Sequence, residues 1–216
     1  MIDLWKLFYN AMKTDILLAS DKDAIPNALK VLEDGGLVAF PTDTVYGVGA
    51  LAFDEKAIES IYIAKDRPVE KAIPILIGGP EDLDKVTAAI PPMATKLAAR
   101  FWPGALTLVV PKHPNLPEVV SATPTVGIRV PDHPVARTLL HAAGPMAVTS
   151  ANISGVDSPK TAEEVNRQLN GRISLILDGG ETPGGVPSTV VNCLGTEPVI
   201  LREGPITLKD IQFVLA

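Results

Sequence analysis

Four short stretches of this chain carry side chains whose types and spacing suit work on anions. Pro41–Gly49 reads PTDTVYGVG and packs two threonines, an aspartate, a tyrosine and two glycines into nine residues. It follows the apolar run Gly36–Phe40, and Pro41, lacking an N–H, ends that strand. If the stretch stays extended, Thr42, Thr44 and Tyr46 share one face and Asp43 and Val45 the other. Lys65-Asp66-Arg67-Pro68 places two cations two residues apart, and Pro68 steers Arg67 toward extended geometry. Ser150-Ala151-Asn152 repeats the spacing with neutral hydrogen-bonding groups. Converging on a cleft, these pairs would suit phosphate or carboxylate. Taken alone, the first reads as a solvated helix end and the second as a turn. In Thr125–Pro131, Arg129 shares a strand face with Thr125 and Gly127, opposite Val126, Ile128 and Val130. It is either a ligand clamp or a surface residue.

The elements that must position these groups alternate along the chain. Helices are expected over Ala24–Leu32, from Asp54 as N-cap to Ala64, over Met93–Phe101, Val135–Ala143 and Leu208–Leu215, and from a Thr161/Glu164 capping box to Leu169. Strands are expected at Gly36–Phe40, Ala72–Ile77, Ala105–Val110, Thr125–Val130, Met146–Thr149, Leu175–Leu177, Thr189–Val191 and Val199–Arg202. This alternation predicts an α/β single domain with a twisted, open, mixed sheet, because several strands follow one another too closely for parallel crossovers. A hydroxyl-rich loop at the end of an apolar strand is where open α/β sheets bind ligands. The glycine-rich run Asp178–Pro187, just before Ser188, is expected to be mobile and to close on substrate.

Composition narrows the classes. The 216 residues are 46% hydrophobic and 20% charged, which suits a globular enzyme with a sizeable core. A net charge of −6 argues against a protein that mainly coats nucleic acid. The single cysteine, Cys193, excludes an internal disulfide framework and points to the cytoplasm. Residues 1–11 are read as an N-terminal extension, either an added helix or sequence upstream of a start at Met12; residues 12–216 form the domain. No signal peptide or membrane span is expected. There is no G-x-x-x-x-G-K-[ST], no H-E-x-x-H and no G-x-S-x-G, and His113, His133 and His141 lack ligand spacing. Covalent-hydrolase and metal-hydrolase chemistry therefore have no support, and no metal ligand is assigned.

In order along the chain, GGLVAFPTDTVYGVGALA, AKDRPVEKAIPILI, FWPGALTLVVP, TVGIRVPDHP, TSANISGVDSP, PSTVVNC and LREG closely resemble the YrdC-like family of threonylcarbamoyl-AMP synthases. Each motif is weak alone; the ordered set, from Gly35 to Gly204, is specific. The resemblance implies a large, positively lined cleft. It implies synthesis of threonylcarbamoyl-AMP and pyrophosphate from ATP, L-threonine and bicarbonate or CO2, for tRNA threonylcarbamoyladenosine modification. It makes Lys65 and Arg67 catalytic and places Lys65, Arg67, Lys71, Thr125, Ser150, Asn152, Ser158 and Arg202 around ATP. It assigns Thr42, Arg129 and Ser188 to threonine. Mg2+ is expected with ATP, with Asp43 as the one candidate ligand. The implied partners are proteins that accept threonylcarbamoyl-AMP, and direct contact with tRNA is left open. The chain resembles the short form, without an extra C-terminal domain. It departs from many relatives at Leu76, where they carry histidine, and at Lys71, where they carry asparagine. The competing readings are a non-catalytic RNA- or nucleotide-binding module and a carbamoyl-adenylate enzyme with another amine substrate. Lys65 and Arg67 are both expected to face the cleft.

Overall fold

The computed structural model describes residues 13–216, so the extension over residues 1–11 lies outside the described residues. Ten strands form one sheet: β1 (Asp15–Leu18), β2 (Val38–Phe40), β3 (Gly47–Leu51), β4 (Ile75–Leu76), β5 (Leu106–Pro111), β6 (Thr125–Arg129), β7 (Met146–Ser150), β8 (Leu175–Asp178), β9 (Thr189–Asn192) and β10 (Val199–Arg202). Their order across the sheet is β1-β8-β2-β3-β7-β4-β6-β5-β9-β10. The sheet is mixed: β8 runs parallel to β1 and β2, and β4 to β6, whereas β3 is antiparallel to β2 and β7.

Seven α-helices are described: α1 (Ala24–Glu33), α2 (Glu55–Ala64), α3 (Leu83–Val86), α4 (Pro92–Phe101), α5 (Pro134–Ala143), α6 (Ala162–Leu169) and α7 (Leu208–Leu215). Local chemistry explains their ends. The Asp54 side chain accepts from the Ala57 N–H at 3.0 Å and starts α2, and Thr161 caps α6 through the Glu164 N–H. Glu164 accepts from the Lys160 N–H rather than from Thr161, so the expected capping box is shifted by one residue. In α7 the box is complete, between Thr207 and Asp210.

Two apolar layers cover the sheet. Ala24, Ala28 and Leu32 of α1 pack with Leu139 and Leu140 of α5 on one face, where Phe40, Leu76 and Val148 point. Ile58 and Ile61 of α2, with Ala94 and Leu97 of α4, cover Val48, Ile75, Leu108 and Ile128 on the other. Two expectations needed correction. The strand expected over Ala72–Ile77 shrinks to β4, because Pro74 has no N–H and the Ile73 N–H goes to Val120 O. The segment after Phe40 is a turn followed by a real strand, β3. There Gly49 meets β7 so closely that an added Cβ would lie 2.6 Å from Ala147 O. β1, a four-residue edge strand with Ile16 and Leu18 exposed, was not expected.

Candidate active-site cleft

One face of β4, β6 and β5, together with the turn after β2 and residues of β7, β9 and β10, lines a cleft of about 500 Å3. Leu76 and Val148 are shared between that cleft and the apolar layer beneath. Three arginines line it, Arg67, Arg129 and Arg202, with hydroxyls from Thr42, Thr44, Thr107, Thr125, Ser150 and Ser188. No carboxylate is among the lining residues. In a chain of net charge −6, that is a local reversal of sign.

Arg129 sits at the cleft floor, only 5% exposed. Its Nε donates to Gly104 O at 2.8 Å, one terminal nitrogen to Thr44 Oγ1 at 3.0 Å, and the other to Asp43 Oδ1. Burial lowers its pKa, and Asp43 opposes that shift. Asp43 Oδ1 also accepts from the Asp132 N–H at 3.0 Å. Thr44 and Thr42 are joined at 2.9 Å, and Thr42 donates to Val45 O at 2.7 Å. Each hydroxyl has one proton, so the relay runs from Arg129 to Thr44, to Thr42, to the Val45 carbonyl. The turn around Thr42 explains why Asp43 and Thr44, on opposite faces of an extended strand, both reach Arg129.

On the far wall Ser188 Oγ lies 2.8 Å from Thr107 Oγ1. The Arg202 guanidinium donates to Ser188 O at 2.7 Å and to its Oγ at 3.0 Å. Partial burial, then Arg129 and Arg67, hold the Arg202 pKa below its ordinary value. An anion placed between these cations would relieve that repulsion. Arg67 donates from Nε to Lys71 O at 3.1 Å and from a terminal nitrogen to Ala72 O at 2.8 Å.

Lys65 is a correction. It is 1% exposed rather than open to the cleft, and its Nζ donates to the backbone carbonyls of Ser150 and Asn152. It takes αR geometry at the end of α2, and Asp66 has a φ of +50°, so Lys65 and Arg67 do not share a face. Desolvation, with Arg67 adding to it, lowers the Lys65 pKa to about 7. Lys65 therefore ties the end of α2 to the exit of β7, and Ser150 is the atom-bearing neighbour it presents to the cleft. Asn152 is buried, donating to Ile153 O and Val156 O with Oδ1 unpartnered. Asn152, Ser158 and Lys71 are not among the lining residues; Lys71 is exposed and contributes its carbonyl to Arg67. Leu76 pairs in register with Arg129, so an apolar side chain stands beside the buried arginine on the neighbouring strand.

The glycine-rich loop is tied down at its base and middle. Tyr46 OH accepts from the Gly179 N–H and donates to Gly180 O, Thr182 N–H donates to Lys160 O, and Gly185 N–H reaches Thr44 O at 2.6 Å. Gly185 has φ +67°, a conformation side-chain-bearing residues rarely adopt. Cys193 is buried, and burial pushes its thiol up to about 12, which removes it as a nucleophile.

Among the described residues no three His, Cys, Asp or Glu side chains converge to hold a metal. Asp43 Oδ1 accepts from Arg129 and from a backbone N–H, and no second and third ligand side chain converges on it, so no protein-held Mg2+ site is assigned among the described residues. Among the same residues no helix is long and apolar enough to cross a membrane.

Sequence reasoning missed Asp43 as the partner of Arg129. The signal was present: a lone acid in a hydroxyl-rich turn and a lone arginine on an apolar strand each lack a local counter-charge. It also missed Thr107 and Gly104, whose contributions need the β5–β9 pairing and the turn before β5.

The family profile of Sua5, YciO and YrdC, described as telomere recombination, matches residues 30–204. A Bacillus subtilis protein named threonylcarbamoyl-AMP synthase is 45% identical over 94% of this chain and 59% of its own length. The structure of P. abyssi Sua5 complexed with L-threonine superposes with a TM-score of 0.86 at 44% identity, covering 89% of this chain and 57% of that one. E. coli YciO superposes at 0.82 with 26% identity, covering 92% and 99%. The chain thus spans under two thirds of the first two relatives' lengths.

Proposed function

Because the chain belongs to the Sua5/YciO/YrdC family, we propose that it makes L-threonylcarbamoyl-AMP and pyrophosphate from L-threonine, bicarbonate or CO2, and Mg·ATP. We place this reaction in the cytoplasm, feeding proteins that transfer the threonylcarbamoyl group to tRNA. The observation that carries the reading is the cleft with three arginines, many hydroxyls and no lining carboxylate. Its volume is in the range of small-molecule sites.

The chemistry needs no protein nucleophile. The threonine amine adds to CO2 and loses a proton, giving a carbamate. A carbamate oxygen then attacks the α-phosphorus of ATP, and the bond to the β-phosphate oxygen breaks to release pyrophosphate. The protein must hold the reactants in line and offset negative charge. Arg129, held by Gly104 O, Thr44 and Asp43, is on this reading the partner of the threonine carboxylate. Arg67 and Arg202 line the same cleft and suit phosphate or carbamate oxygens. Thr125 and Ser150 also line the cleft, and on this reading they contact the nucleotide.

The test is pyrophosphate release that requires both threonine and bicarbonate. ADP and inorganic phosphate as primary products would exclude adenylate chemistry, and release without an amino acid would favour a plain nucleotide-binding module.

Arg67→Ala is expected to lower turnover by roughly a hundredfold to a thousandfold, the scale of a lost transition-state donor, while the melting temperature moves little. Arg67 is only partly buried, and the carbonyls it leaves at residues 71 and 72 belong to exposed residues. Near-normal turnover in that variant would remove Arg67 from the reaction.

The amino-acid order is expected to be threonine, then serine, then valine. Ser188 accepts from Arg202, so its own proton is free for Thr107 or a substrate hydroxyl. Serine lacks one methyl, worth roughly 1–3 kcal/mol in a fitted pocket, whereas valine strands a polar group. Valine outperforming serine would show that the pocket reads shape.

Substrates are also expected to slow hydrogen exchange at Gly185 and its neighbours, because the Gly185–Thr44 contact joins the loop to the residue that receives the Arg129 hydrogen bond. Unchanged exchange with all substrates present would exclude the loop as a lid.

A further inference from the structure

β5 and β6 carry a second cavity on their other side. Thr107, Val109, Gly127 and Arg129 face the cleft, while Leu108, Val110, Ile128 and Val130 alternate to the reverse face. Between those four and α4 lies a space of about 330 Å3. Leu83, Ile90, Ala98 and Trp102 complete an apolar wall. No acidic side chain lines it, and its only charged lining residue is Arg137 of α5.

Arg137 is what makes the cavity more than a packing gap. Its Nε is buried and has no hydrogen-bond partner. Among the described residues its guanidinium has no ion-pair partner either; Glu81, on the neighbouring turn, lies 3.6 Å from His141 instead. The other polar groups of the wall are satisfied: Thr87 donates to Pro111 O at 2.7 Å, and Thr95 bonds to Pro91 O at 3.4 Å. Arg137 is itself only partly buried, but a buried guanidinium Nε at the wall of an apolar chamber, left without an acceptor, is costly unless an anion or water meets it.

We propose that this cavity is a binding site for a small amphipathic carboxylate, with its apolar chain against Leu108, Ile128 and Trp102 and its carboxylate on Arg137. At about 30 Å3 per non-hydrogen atom, the space holds roughly ten such atoms, the size of octanoate. The chamber is walled off from the cleft by the strands themselves, yet it is close to the cleft's main arginine. Trp102 Nε1 donates to Leu106 O at 2.7 Å, Gly104 N–H donates to Val130 O at 2.8 Å, and Gly104 O receives Arg129 Nε. The proposal rests on the reverse face of β5 and β6 and stands whatever reaction the cleft performs.

The test uses the full chain carrying Trp5→Phe, so that Trp102 is its only tryptophan, titrated with octanoate and with 1-octanol and read by fluorescence and calorimetry. Octanoate is expected to bind one per chain and at least about tenfold more tightly than 1-octanol, the scale of a charge-assisted hydrogen bond. Arg137→Gln is expected to erase that preference, and Ala98→Leu, which fills the chamber from α4, to weaken both ligands. No saturable binding overturns the site. Equal binding of the two ligands, or a preference that survives Arg137→Gln, overturns the role of the arginine. Should Arg137→Gln not fold, Arg137→Lys gives the same decision: it must keep the preference for octanoate.

Discussion

Arg129→Ala is expected to lose about a thousandfold or more in turnover and to unfold many degrees below the parent protein. Two effects combine. If Arg129 holds the substrate carboxylate as proposed, that carboxylate loses a planar cationic partner. The protein also keeps Asp43, whose side chain is 14% exposed, without its counter-charge. Breaking a buried ion pair from one side costs roughly 3–5 kcal/mol, and at about 2–4 °C per kcal/mol for a domain of this size that is a large drop. Gly104 O and Thr44 Oγ1 lose their donors as well. The double variant Asp43→Asn/Arg129→Gln separates the effects. Removing both charges should return much of the stability and none of the activity. Full activity in that double variant would show that Arg129 is a structural residue alone.

Lys65→Met is expected to destabilise the fold at neutral pH by about 2–5 kcal/mol, because the carbonyls of Ser150 and Asn152 are left buried without a donor. Its pH dependence identifies the cause. The Lys65 amine titrates at about 7 in the folded protein, against 10.5 ordinarily. Between those values the unfolded chain holds the extra proton, so this group makes stability rise with pH, by about 1.4 kcal/mol per unit. Below pH 7 both states are protonated and the contribution is flat. The stability difference between parent and Lys65→Met should therefore grow from pH 7 to pH 9 in urea unfolding. A constant difference would show that Lys65 stays charged throughout. Turnover should fall as well, since Ser150 hangs from the same contact.

Much of this arrangement was legible from residues near one another in sequence. Asp54 and Thr161 announce helix starts, and Arg129 stands out as the lone charge on an apolar strand, though its burial there was left open. The mixed sheet followed from the close spacing of strands. What escaped was governed by distant backbone. The acceptors of Lys65 are carbonyls 85 and 87 residues away, and a carbonyl has no residue type to read. Pro74 shortened β4 because a partner strand demanded a donor it lacks. β1 is four residues long and half exposed, with too little pattern to separate it from a loop. The Asp43–Arg129 pair needed the turn at Thr42, whose hydroxyl bonds bend a stretch that would otherwise run straight.

The strand order also dictates when the molecule can finish folding. β8, at residues 175–178, is wedged between β1 and β2, and pairs Leu175 with both Asp15 and Val38. The first strand of the sheet has no partner until that late segment arrives, and one edge of β2 stays open just as long. β9 likewise seats itself against β5 from more than seventy residues downstream, pairing Leu106 with Thr189. Such non-local closure slows folding and leaves unpaired strand edges exposed in the growing chain. The arginine cleft is assembled from β6, β9 and β10 together, so it comes into being only at the end of that process, and a nascent chain carries its cations without the site.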